Sequence, residues 1–374
     1  MVKIGPPDGG SIFLRRRAKH EAMELIGTPD NPVPPGALIS AVGAEDGALL
    51  RIARWSPEKQ SLGQRPLGTV CVFTGRGEFI EKYFETIGEL VERGFSVVAM
   101  DWRGQGSSVR ELPDRDKGHI DDFDMFERDL EALRKQVLQF LCPRPWFALG
   151  HSMAGAVLLS QAQAGRSPFE RLVLVSPMIE IAGRATHVST RVVVEIADAV
   201  GLGASYAPGV SRRSSMVEPF EGNDLTSDEK RYARNAKIVE AAPQLAVAGP
   251  TIGWINAALR ITRRLADPEF PRRTGTPILI VVASEDKVVS IPAIARFANR
   301  LKAGRMILLP GARHEILQET DAIRAQFWAA FDAFVPGGRE EAAALRRATD
   351  HDAAQRIFNP PWWRRLFGAR RRAA

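Results

Sequence analysis

From Gly68 onward, short and uniformly apolar runs alternate with segments of helical period. Residues 69–73, 96–100, 146–149 and 172–175 read as strands. Residues 84–93 and 123–140 place apolar side chains at helical spacing, and Pro143 and Pro145 close the second. The rhythm returns at 277–282 and 305–309, each run again followed by a helical stretch. Upstream, 39–42 and 48–53 flank Glu45-Asp46-Gly47 and predict a hairpin, with a short helical piece near 20–26 before it. Strands apolar along their whole length must be covered on both faces. The fold class expected is therefore α/β: a mostly parallel sheet with helices on both faces.

The alternation stops between residues 179 and 270, where polar, helical and Gly/Pro-punctuated segments hold no convincing strand pair. An inserted helical cap over the sheet edge accounts for this gap, at the edge where open parallel sheets bind ligands. The chain then divides into an N-terminal extension (1–37), a first core segment (38–178), the cap (179–270), a second core segment (271–335) and a C-terminal tail (336–374).

Gly150-His151-Ser152-Met153-Ala154-Gly155 sits between an apolar run and the small-residue run 156–159. A strand, a sharp turn and a helix in this order lift one serine clear of the sheet and aim the following N–H groups at one point. Acyl transfer needs both an exposed nucleophile and a site for an oxyanion. Ala154 stands where the pattern has a second glycine.

A serine hydroxyl needs a base, and the base needs an orienting acid. Of six histidines, His20 lies in the extension, His351 in the tail, His187 in the cap, and His151 beside the serine itself. His314, directly after the strand that ends near Leu309, is favoured, with His119 its rival. Asp286, in Ala283-Ser284-Glu285-Asp286 after the preceding strand, is preferred to Glu285, which is expected to face solvent. The order Ser, Asp, His suits this hydrolase architecture. For the oxyanion, the Met153 N–H is one candidate and the Arg76 N–H, in Thr74-Gly75-Arg76-Gly77-Glu78, the other. Asp101-Trp102-Arg103-Gly104-Gln105-Gly106-Ser107 reads as bracing, with Asp101 and Arg103 paired.

Composition changes this picture little. The net charge of +7 belongs mostly to the end of the tail, where from Arg356 onward Arg356, Arg364, Arg365 and Arg370 to Arg372 stand without an acid, so nothing marks the rest as nucleic-acid binding. Cys71 and Cys142 have no metal-ligand spacing and read as buried free thiols. No run reaches the roughly 18 apolar residues of a membrane span, and no signal layout opens the chain; a cytoplasmic location is expected. In the cap, Val192 to Val194, Ile196, Leu245, Ile252, Trp254, Ile255 and Leu259 line an acyl channel or pack on the sheet, with Arg212, Arg213, Arg231 and Arg234 among them to meet a phosphate. The tail segment from Trp362 to Arg372 mixes aromatics with arginines, as segments at an anionic membrane surface do.

The motifs at 74–78, 101–107 and 150–153 together resemble the α/β-hydrolase branch of monoacylglycerol lipases and bacterial lysophospholipases. Residues 223–228, 249–254 and His314-Glu315-Ile316-Leu317 are similar to the lysophospholipase L2 group in particular. The likeness spans about residues 38–335. It implies an α/β-hydrolase fold and hydrolysis of one acyl ester on a glycerol-type headgroup, without metal or cofactor. It also implies that Ser152, Asp286 and His314 are the triad, and Arg76 and Met153 the oxyanion donors. Two positions depart from the family: Thr74-Gly75 replaces His-Gly, and Ala154 replaces glycine. Other readings of the same residues are a general esterase, an acyltransferase that shares the acyl-enzyme, and a non-catalytic lipid-binding or membrane-adaptor protein.

Overall fold

The structure, a computed structural model, describes residues 23–57, 66–183 and 188–336. The chain divides into a body, residues 1–328, and a C-terminal unit, residues 329–374, whose described part ends the last helix. The tail segment 362–372 lies outside the described residues, as does most of the helical piece expected at 20–26. The part of that piece that is described, 23–26, is not helical.

One sheet of eight strands organises the body. β1 (Leu38–Gly43) and β2 (Leu49–Trp55) form the expected hairpin. β3 (Thr69–Phe73), β4 (Ser96–Met100), β5 (Trp146–His151), β6 (Arg171–Val175), β7 (Ile278–Ala283) and β8 (Gly304–Leu309) follow in chain order. Their spatial order is β1-β2-β4-β3-β5-β6-β7-β8, and β2 alone runs against the others. β3, β4, β5 and β7 are buried at every position, which is why their sequences are apolar without alternation.

The chain leaves β3 for β4 on one side and returns to β5 on the other. The order therefore reverses at the β3/β5 pair, where Phe73 stands opposite Gly150. At such a switch point the loops leaving the two strands diverge and open a crevice beyond their C-terminal ends. The loop after β3 carries Arg76, and the turn after β5 carries Ser152.

Helices cover the sheet: α1 (Phe84–Glu92), α2 (Asp124–Leu133), α3 (Met153–Gln163) and, after β7, α8 (Ile291–Ala298). The long helix read at 123–140 is α2 continued by a π turn, Arg134–Leu138, and a last piece, Gln139–Leu141. Between β6 and β7 stand α4 (Val188–Ala197), α5 (Glu229–Ala241), α6 (Ile252–Leu265) and α7 (Phe270–Arg273); α9 (Asp321–Phe334) closes the described chain. Asp228 caps α5 through the Arg231 N–H, and Thr251 caps α6 through the Trp254 N–H.

This stretch between β6 and β7 is tied to α1 and the segment before it by both apolar and ionic contacts. Phe79 packs with Met216, Ile238, Val239 and Leu245 in a small core of its own. Arg231 and Arg234 both reach Glu85 on α1. Cys71 is buried as expected, whereas Cys142 is only partly buried, because it lies just past the last turn of its helix.

Candidate active site

Ser152 joins β5 to α3 at φ 49° and ψ −111°, a left-handed backbone that a residue with a side chain rarely adopts. The surroundings hold it there. Its N–H donates to Val175 O at 2.9 Å, and its carbonyl accepts from the Gly155 and Met178 N–H groups at 2.9 and 3.0 Å. Gly155 must lack a side chain, since a Cβ would stand 2.6 Å from Pro177 Cβ and 3.0 Å from Pro177 Cα. Ala154, in place of the pattern's second glycine, is fully buried in the main core.

Three strand ends bring the other partners to this serine. His314 Nε2 lies 3.0 Å from Ser152 Oγ, and His314 Nδ1 lies 2.8 Å from Asp286 Oδ2. Asp286 Oδ1 accepts from the N–H groups of Val288 and Val289 at 2.9 and 3.0 Å. Burial alone would raise the Asp286 pKa, but the His314 hydrogen bond and charge, with these two amides, hold it below the usual carboxylate range. An ionised carboxylate only accepts, so the His314 proton sits on Nδ1 and the Nε2 lone pair faces the serine hydroxyl. Glu285 is exposed, as expected.

The rival base is elsewhere. His119 is buried against Thr251 Oγ1 at 2.8 Å and Asp121 Oδ1 at 3.1 Å, at the start of α6. Asp101 and Arg103 do not pair with each other, which corrects the sequence reading. Asp101 takes Arg51 Nε at 2.7 Å, while Arg103 spans Asp129 on α2 and Asp46 in the hairpin turn. The Asp101 carboxylate lies over Gly106, whose φ is 57° and where a Cβ would fall 2.1 Å from Oδ2. The bracing role stands: Trp102 Nε1 donates to Thr74 O, and Gln105 Nε2 to Gly75 O and Glu78 O.

These contacts fix the loop 74–78. The Gly75 N–H donates to the Glu78 carboxylate and the Gly77 N–H to Gln105 Oε1, on either side of Arg76. Met153 opens α3, and the first N–H groups of a helix lack intrahelical partners. Both candidate oxyanion residues line one cavity with Ser152 and His314.

Sequence reasoning missed an ionic cluster beside the serine. Glu78 meets Lys82 Nζ at 2.8 Å, Tyr83 Oη at 2.6 Å and His151 Nδ1 at 3.1 Å, and Lys82 also meets Glu315 at 2.6 Å. Burial would raise the Glu78 pKa; Lys82 and His151 outweigh it and hold the group well below the usual range. His151 Nε2 faces His314 O at 3.2 Å. Both partners of the His151 ring are acceptors, so it carries both protons. Burial opposes that charge, but Glu78 raises the His151 pKa on balance. The Glu78–Lys82 spacing of four residues was the one trace of this cluster in the sequence.

The cavity holds about 240 Å³. Met153, Met178, Ile181, Leu225, Trp254, Val288 and Val289 form its apolar wall, and Arg76, Glu78, His151, Ser215 and Glu315 its polar part. The insertion thus supplies Ser215, Leu225 and Trp254. Other residues named from the sequence do not reach it: Leu245, Ile252 and Leu259 pack in buried positions, and Val192, Val193 and Ile196 are exposed. Arg231 and Arg234 are taken by Glu85, and Arg212 and Arg213 are exposed.

The sequence model of the family described as "Serine aminopeptidase, S33" (Hydrolase_4) matches residues 64–321. The chain belongs to this family. It is a serine ester hydrolase of the α/β-hydrolase fold, in the branch of the lysophospholipases L2 and monoacylglycerol lipases. Lysophospholipase L2 of Escherichia coli (strain K12) is 33% identical over 270 residues, 68% of this chain and 76% of that protein. Monoglyceride lipase of Rattus norvegicus is 28% identical over 272 residues, 72% of this chain and 79% of that protein. Among solved structures, a soluble variant of monoglyceride lipase from Saccharomyces cerevisiae in complex with a substrate analog superposes with a TM-score of 0.61 at 20% identity. It covers 81% of this chain and 96% of that one, a likeness of fold.

Proposed function

We propose that this hydrolase cleaves the acyl ester of lysophospholipids or monoacylglycerols through an acyl-enzyme on Ser152. The observation that carries the reading is the chain Ser152 Oγ to His314 Nε2 to Asp286 at 3.0 and 2.8 Å, at the wall of a part-apolar cavity. In the proposed cycle His314 takes the serine proton as Oγ attacks the acyl carbonyl, and returns it to the leaving alkoxide. Asp286 holds the His314 tautomer and the charge that forms on the ring. The N–H groups of Arg76 and Met153 receive the oxyanion. Water, activated by the same histidine, then releases the fatty acid.

The size and the apolar wall of the cavity support a lipid ester. The cavity is slightly smaller than the roughly 300–1,000 Å³ of pockets that enclose a whole ligand. It has room for a headgroup and an ester, and leaves a long chain to extend along the apolar wall. Residues 179–270 are proposed as the cap that supplies part of that wall. Within the partition read from the sequence, the tail from Trp362 to Arg372 is proposed to hold a cytoplasmic enzyme at an anionic membrane face. No helix among the described residues is long and apolar enough to cross a membrane. A chain ending at Pro336 is expected to lose binding to anionic liposomes; equal binding would remove the tail from the proposal.

The substrate class is tested by turnover on lysophosphatidylethanolamine, lysophosphatidylcholine and monoacylglycerol of one acyl chain, beside a short p-nitrophenyl ester. A preference for the lipids is expected. Faster turnover of the short ester than of every lipid would make this a general esterase.

A further inference from the structure

Of the charges that line the Ser152 cavity, that of Arg76 stands without a counter-charge. The Arg76 guanidinium lies over the Trp254 ring, with Cζ 5.1 Å from its centroid, and donates from Nη2 to Ala248 O at 2.8 Å. Its Nε–H is buried without a partner. Among the described residues it makes no ion pair, unlike every other charge around the cavity. Glu78 and Glu315 share Lys82, Glu78 also meets His151, and Asp286 faces His314 and two amides. Arg110 likewise lacks a carboxylate, turns Nη2 to backbone carbonyls and keeps Nε and Nη1 buried without partners, but it does not line the cavity.

Burial lowers the Arg76 pKa to about 10, which leaves the side chain charged at neutral pH. A partly buried cation without a counter-charge carries a desolvation cost, and an anionic ligand relieves it. A guanidinium with free donors suits phosphate oxygens in particular. The covalent spacing is also compatible. The backbone N–H and the guanidinium carbon of an arginine are as many bonds apart as the ester carbonyl carbon and the phosphorus of a 1-acyl glycerophospholipid.

We infer that the Arg76 guanidinium receives a phosphate oxygen of the substrate headgroup, so that phosphate-bearing acylglycerols are preferred to neutral ones. The inference rests on the lipid-ester reading and narrows it. It also replaces the arginines of the insertion that the sequence offered for this role, since Arg231 and Arg234 are occupied by Glu85.

The test compares kcat/KM for 1-oleoyl lysophosphatidylethanolamine and 1-oleoylglycerol in wild type, Arg76→Gln and Arg76→Lys. Because the Arg76 backbone is also placed at the oxyanion, the ratio of the two values is the readout. Any loss common to both substrates reports the loop. The wild-type ratio should favour the phosphate-bearing lipid, fall about tenfold or more in Arg76→Gln, and recover in part in Arg76→Lys. An unchanged ratio overturns the inference.

A second measurement needs no lipid turnover. In wild type, sn-glycerol 3-phosphate should inhibit hydrolysis of p-nitrophenyl butyrate competitively and glycerol should not, with Arg76→Gln insensitive to both. Inhibition by inorganic phosphate as strong as by glycerol 3-phosphate would make the site one for free phosphate and overturn the headgroup assignment. Inhibition through Arg76 in an enzyme that cleaves neither lipid would keep the phosphate receptor and defeat the lipid reading. Lipid cleavage with no change in ratio would do the reverse.

Discussion

His151 shows how a neighbouring side chain is bound to the cluster of Ser152, His314 and Asp286. Its ring centroid is 4.9 Å from that of His314, and its two nitrogens join the Glu78 carboxylate to the His314 carbonyl. The ring therefore ties the loop after β3 to the loop after β8, and it does so as a cation. A histidine whose pKa is raised on folding contributes stability that is full below its unfolded value, near 6.5, and is lost as pH rises through the folded value. The thermal stability deficit of His151→Asn should therefore be larger at pH 6 than at pH 9, as read by calorimetry. A deficit that is constant or grows with pH would contradict the cationic assignment. Ser152, Asp286 and His314 were legible in the sequence because each follows a recognisable strand. The partners of Asp101 and Arg103 were not, because their side chains turn to opposite neighbours, Arg51 and Asp129, that only the sheet order brings near.

Among the elements, α1 and α5 meet through one carboxylate. Glu85 accepts from Arg231 at 2.6 and 2.9 Å and from Arg234 at 2.7 Å, with Arg324 nearby. Burial would raise its pKa, yet these arginines lower it to about 2. A carboxylate depressed in this way contributes stability above its unfolded value, near 4.5, and loses it as pH falls toward 2. Glu85→Gln should cost on the order of 1–2 kcal/mol at pH 7, the full linkage value being reduced because the group is partly in water. The difference from wild type should narrow between about pH 4.5 and 3 in denaturant titrations. A gap that stays the same at pH 3 would show that Glu85 acts by shape rather than charge. The eight strands were readable as apolar runs, the hairpin from its turn, and the helices at 84–93 and 123–140 from their period, whereas the described part of the piece expected at 20–26 is not helical. The π turn Arg134–Leu138 was not readable: Phe140 and Leu141 continue the apolar period in the sequence, but the extra residue turns them away from that face and both are exposed.

For the whole molecule, the site follows from topology. The reversal at β3/β5 opens a crevice, and the loops after β3, β5, β7 and β8 fill it with Arg76, Ser152, Asp286 and His314. The strand-free stretch between β6 and β7 was visible as a gap in the strand-helix rhythm. Which of its apolar residues face the cavity was not, because helical period marks a buried face without saying what covers it. Trp254 lines the cavity while Leu245 and Ile252 only pack. The Arg76 side chain was hidden for a related reason, since its backbone already carried a role. The proposed acyl-enzyme is tested most directly by fatty-acid release from 1-oleoyl lysophosphatidylethanolamine, wild type against Ser152→Ala, beside labelling by a fluorophosphonate. Loss of the nucleophile should cut turnover by about a thousandfold or more and abolish the label. A Ser152→Ala protein that keeps more than a few per cent of wild-type turnover, or still takes the label, would contradict it.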